Sequence, residues 1–116
     1  MADGSRGQVR WAVRPGGAVA AQDEWGALDA RVQVSFEVLF RWLADVGVIK
    51  NNDRCREVAG YPGLWLLQHG RAVILACRQP GEMILLHVLP HLRGPLPETV
   101  ASDALTVCAE DIGGHV

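Results

Sequence analysis

The chain has 116 residues, of which 49% are hydrophobic and 21% charged, with a formal net charge of −2. This is room for one domain with a core of its own and too little for two. No apolar run approaches the roughly 18 residues that a membrane helix needs. The slight acidity speaks against a protein that grips nucleic acid through a broad basic surface, because phosphate neutralisation supplies most of such affinity.

The opening residues, MADGSRGQVR, are polar where a secretory signal has an apolar centre, so the expectation is a cytoplasmic chain. Residues 1–8 read as an N-terminal tail and residues 9–116 as a single domain. Val9–Val13 alternates well enough for a short strand, and Pro15-Gly-Gly17 closes it with a turn.

From Asp23 the period changes. Trp25, Leu28, Val32, Phe36, Leu39, Leu43 and Val46 follow at spacings of three and four, which lines them along one helix face, and Gly47 supplies a stop. Gly26 and the β-branched Val32, Val34 and Val38 lower helix propensity, so a break near Leu28-Asp29 into two helices is expected. Lys50–Glu57 reads as a polar connector. Three apolar runs follow, Leu64–Leu67, Ala72–Cys77 and Met83–Leu89, separated by His69-Gly70 and Gln79-Pro80-Gly81; these predict an antiparallel meander. Beyond Pro97, residues Val100, Ala104, Leu105, Cys108 and Ile112 recur at helical spacing up to Gly113-Gly114.

The order β-α(α)-β-β-β-α predicts an α+β fold: a small, mainly antiparallel four-stranded sheet covered by helices. Its expected core holds Trp25, Leu28, Phe36, Leu39, Leu43, Trp65, Ile74 and Leu85. Four tryptophans, Trp11, Trp25, Trp42 and Trp65, read as packing residues in the main and not as a base-stacking platform. Cys55, Cys77 and Cys108 show no ligand spacing and predict reduced thiols.

Charge is uneven along the chain. Residues 1–60 carry eight Lys/Arg against eight Asp/Glu, while residues 61–116 carry three against five, so the whole deficit falls in the C-terminal part. Within that part, the stretch GEMILLHVLPHLRGPLPE places His87 inside an apolar run and His91 and Arg93 just after Pro90. His87 reads as a hydrogen-bonded sheet residue, because an unpaired buried imidazole is costly. His91 and Arg93 fall in a loop, where chemistry or a solvated surface role is equally open, and Arg71 follows a turn.

Three short words carry a resemblance. Gly63-Leu-Trp-Leu-Leu67 is similar to a "GLWEL" strand, Gly70-Arg71 to the basic start of the next strand, and Ile84-Leu-Leu-His87 to a "VLLH" strand, with Pro97 where a proline opens the last helix. In this order, over roughly Val9 to Ile112, the chain resembles the phage-derived HigB-like branch of the RelE/ParE toxin superfamily. The resemblance implies the toxin component of a toxin–antitoxin system: a ribosome-dependent mRNA endoribonuclease, needing no metal or cofactor and held inactive by a cognate antitoxin protein. It implies catalytic roles for His91, Arg71 and His87, to which Arg93 is joined by its place in the loop with His91, and the ribosome and mRNA as partners. The family's second lysine is Leu92 here, its arginine after "GLWEL" is Gln68, and its glycine after the strand histidine is Val88. Lost cations imply weakened RNA cutting. The other function class is a catalytically degenerate module of the same fold that acts by binding a partner peptide or a second copy. The enzyme predicts a concave basic patch formed by Arg71, His91 and Arg93; the module predicts an exposed apolar surface.

Overall fold

The computed structural model describes residues 8–46 and 54–111. In chain order these form β1 (Gln8–Trp11), α1 (Gln22–Gly26), α2 (Ala30–Val46), β2 (Cys55–Glu57), β3 (Leu64–His69), β4 (Ala72–Gln79), β5 (Glu82–Leu89) and α3 (Glu98–Glu110). The α+β class agrees with expectation. The sheet does not: it has five strands in the order β1-β5-β4-β3-β2, and it is mixed, with β1 parallel to β5 and the other pairs antiparallel. Apart from Gln8, which begins β1, the expected tail lies outside the described residues, as do Ile112 and the glycine stops at Gly47 and Gly113-Gly114.

The expected break between two helices is present, and local bonding accounts for it. Asp29 Oδ1 accepts from Arg31 N at 2.8 Å, capping the start of α2, while Gln33 Nε2 donates to Trp25 O at 2.8 Å and satisfies the end of α1. At the other end of the chain Pro97 is the extended residue before α3, and its carbonyl accepts from both Val100 N and Ala101 N at 3.1 Å.

The sheet is covered on both faces, which explains why its inner strands read as nearly continuous apolar runs. On one face Phe36, Leu39 and Leu43 of α2 pack on Trp65, Leu67, Ile74 and Leu85; on the other, Ala101, Ala104 and Val107 of α3 pack on Leu66, Leu75, Ile84 and Leu86. All of the expected core residues are buried except Trp25, which is half-buried in an aromatic cluster with Trp11, Phe36 and Phe40. No helix among the described residues is long and apolar enough to cross a membrane.

Two long-range ties close the fold. Arg10 on β1 donates to Glu82 on β5 and to Asp111 at the end of α3, at 2.6 to 3.2 Å, and Asp111 Oδ1 also accepts from Val13 N at 2.8 Å. The bonds to Asp111, and then to Glu82, hold the Arg10 guanidinium even more firmly charged than usual. The second tie corrects the expectation of reduced thiols. Cys77 on β4 and Cys108 on α3 face each other with Cα atoms 6.6 Å apart and form a disulfide. Their separation of 31 residues hides this pairing from the sequence; packing α3 on the sheet creates it. Cys55 is a buried cysteine outside this disulfide, and burial pushes its pKa up to about 11.

Candidate functional site at one end of the sheet

Strand directions gather the polar chemistry of the sheet at one end. The start of β2, the end of β3, the start of β4 and the end of β5 are neighbours in the register, which brings Arg54, His69, Arg71 and His91 to the same edge. His69 and Ala72 pair across a two-residue turn, Gly70-Arg71, in which only Gly70 has a positive φ, 59°. A glycine at the first central position of a hairpin turn meets the type II′ requirement, and it sets Arg71 at the exposed tip.

The loop after β5 folds back on this tip. Leu92 N donates to Arg71 O at 2.9 Å while the Leu92 side chain packs, half-buried, against the α3-side core. His91 thereby comes beside Arg71, with Arg71 Nη1 3.3 Å from His91 Nε2. When Arg71 donates to that nitrogen, the imidazole is neutral and keeps its own proton on Nδ1. Both side chains are exposed, so a phosphodiester can reach them from solvent. Arg93 is exposed in the same loop and bonds to no described residue.

His87 stands apart from this pair. The register of β4 and β5 shifts between Leu75 and Ala76, so that Leu75 pairs with His87 and Ala76 with Leu85, leaving Leu86 as the extra residue of a β-bulge. The bulge puts the consecutive residues Leu86 and His87 on the α3 face together. There His87 Nε2 lies 2.8 Å from Asp103 Oδ2 of α3, and Nδ1 lies 2.9 Å from Glu24 Oε1 of α1. Both ring nitrogens are engaged, so His87 fastens two helices to the sheet and offers a substrate no open nitrogen.

Sequence reasoning missed three residues here. His69 Nδ1 lies 2.9 Å from Ser35 Oγ of α2, and that hydroxyl also accepts from Arg54 Nη2 at 3.0 Å. This fixes the His69 ring at the exposed sheet edge. The only signal available was its place beside Gly70-Arg71, since Arg54 fell in the polar connector and Ser35 on a helix. Gln68, which stands where the family has an arginine, spends its amide locally: Oε1 accepts from Arg56 Nη1 at 3.0 Å and Nε2 donates to Gly70 O at 2.9 Å.

The edge thus combines imidazoles and guanidinium groups, a set suited to proton transfer at an anionic ester. Among the described residues no group of three or more His, Cys, Asp or Glu side chains is placed to hold a metal ion. A different surface lies on the outer side of α2, where Val34, Val38 and Trp42 are 57%, 52% and 44% exposed, beside a hollow of about 350 Å³ lined by Val38, Leu39, Trp42 and Arg54. No protein-family model matches the chain, and no curated protein matches it.

Proposed function

We propose that this chain is the toxin of a toxin–antitoxin pair, a slow mRNA endoribonuclease that acts in the cytoplasm on the ribosome and is silenced by a cognate antitoxin. The observation that supports it most is the exposed pairing of Arg71 with His91 at 3.3 Å, at a sheet end that also gathers His69 and Arg54. In this scheme the neutral imidazole of His91 takes the proton of a ribose 2′-hydroxyl. The 2′-oxygen forms a bond to phosphorus, the bond from phosphorus to the 5′-oxygen breaks, that oxygen takes a proton from solvent water while His91 returns its own to solvent, and a 2′,3′-cyclic phosphate and a 5′-hydroxyl result. Arg71 moves from His91 Nε2 onto the phosphate, which opens that nitrogen to the 2′-hydroxyl and neutralises the charge gathering on the phosphoryl oxygens, and Arg93 adds a contact to the backbone of the RNA. His87 acts at a distance, by holding α1 and α3 in place.

Weakened activity is part of the proposal. Leu92 is a half-buried apolar residue and Gln68 is tied into the turn, so two positions that carry cations in the resembled family carry none here. Each missing phosphate contact lowers affinity, and more steeply as salt rises. The Cys77–Cys108 disulfide counts against a cytoplasmic site of action, because a reducing pool keeps most such pairs as thiols. A second reading, a binding module that has lost catalysis, is favoured by the exposed apolar residues of α2.

Expression from a tightly controlled promoter separates the two. The enzyme predicts growth arrest with mRNA cleavage that falls in His91→Ala and Arg93→Ala while both variants remain folded. Arrest without cleavage, unchanged in both variants, supports the binding module.

A further inference from the structure

We infer that a second copy of this chain docks on the outer face of α2, antiparallel, with the two-fold axis at Val38. The apolar residues Val34, Val38 and Trp42 stand at spacings of four along a 17-residue helix whose opposite side, Phe36, Leu39 and Leu43, is already spent on the sheet. Exposed side chains of this size in a row on one helix are a seam that no other described residue covers.

The order of residues along that seam identifies the occupant. In an antiparallel pair centred on Val38, a residue a given number of positions before it meets the residue the same number after it. Val34 then meets Trp42, small against large, and Val38 meets itself. Seven positions out, which is two turns and so the same face, Arg31 meets Asp45, and both are exposed. The seam is therefore complementary to its own reverse in both volume and charge. A parallel pair would set Trp42 on Trp42, Arg31 on Arg31 and Asp45 on Asp45, which stacks bulk on bulk and like charge on like charge. The antiparallel arrangement also opposes the helix dipoles favourably. Seventeen residues of helix span only about 25 Å, so the area covered is at the low end for a stable interface and the association is concentration-dependent.

Sedimentation of the full chain over a concentration series tests this, with two sets of variants. Val38→Cys should cross-link to Val38→Cys of the second copy on mild oxidation, located by peptide mapping. Arg31→Asp and Asp45→Arg should each raise the dimer dissociation constant by about tenfold, since two attractive contacts become two repulsive ones, and the double exchange should restore it. All three positions are exposed, so the thermal midpoint reports that each variant is folded. A chain that stays monomeric at about 1 mM overturns the inference. So does a dimer that gives no cross-link at residue 38 or that ignores the charge exchange. Capture of a different protein by the Trp42 face of a monomeric chain overturns it as well.

Discussion

Reduction of the Cys77–Cys108 bond should destabilise the fold by a large and calculable amount. The bond closes a loop of 31 residues between β4 and α3. In the chain-entropy account, releasing a loop of that length returns about 3.7 kcal/mol of conformational freedom to the unfolded chain at 25 °C. At about 2.1 cal/mol/K per residue, the 116-residue chain has a transition entropy near 0.24 kcal/mol/K. Reduction should therefore lower the thermal midpoint by about 15 °C. The assay is thermal unfolding followed by circular dichroism, with and without a phosphine reductant, alongside Cys108→Ala. A Cys55→Ala background removes the third thiol, and intact mass confirms the loss or gain of two hydrogens. The variant should resemble the reduced chain, and amide exchange should quicken first in α3, which the bond ties to the sheet. A midpoint that moves by less than about 3 °C on verified reduction would refute the argument, because the unfolded chain would then not be constrained by this loop.

Leu39→Ala removes a buried side chain from the α2 face of the core and should cost about 2 to 5 kcal/mol in chemical denaturation; an unchanged midpoint would mean that α2 does not pack on the sheet as described. Cys55, with its pKa pushed up to about 11, should resist alkylation in the folded chain near pH 8 and react once denaturant is added. The sign of its linkage follows from the raised value: burial favours the neutral thiol, so this contribution is complete below the unfolded pKa near 9 and is lost as pH rises through about 11. His87→Ala breaks contacts to two partly exposed carboxylates and should cost about 1 kcal/mol, with faster amide exchange around Asp103 and no loss of RNA cutting beyond what the lowered stability explains. Loss of cutting in a fully folded His87→Ala would put that residue in the chemistry.

The elements with strong periodicity were legible from sequence, and those fixed by distant partners were not. The α2 stripe, the three inner strands and the break at Asp29 all rest on local signals: spacing, turn residues and lowered helix propensity. β2 escaped because two of its three residues, Arg56 and Glu57, are charged and exposed, as suits a short edge strand, and three residues cannot show alternation. The parallel direction of β1 depends on pairing Gln8 with Glu82 and Trp11 with Leu85, far along the chain, and nothing within β1 encodes it. The same holds for the disulfide.

At the site, Arg71 and His91 were identifiable as residue types beside turns, and a single backbone bond from Leu92 N to Arg71 O brings them together. His87 lies on β5 with hydrogen-bond partners, as its place inside an apolar run predicts. Its two carboxylate partners could not be foreseen, because a bulge turns it toward α3 and α1 supplies the other acid. His69 was visible as a letter but not as part of the edge, since its partners Ser35 and Arg54 come from a helix face and from the connector before β2.

Whether the Arg71–His91 edge cuts RNA is decided on the ribosome. The most direct measurement uses the purified chain on ribosomes programmed with a defined mRNA, with product ends identified chemically and His91→Ala and Arg71→Ala compared at low salt. Slow cleavage is expected that leaves a 2′,3′-cyclic phosphate, falls by about 10² to 10⁴-fold in His91→Ala, and weakens as salt rises. Cleavage that persists at the wild-type rate in both folded variants, or no cleavage by the wild-type chain at any salt concentration, would contradict it.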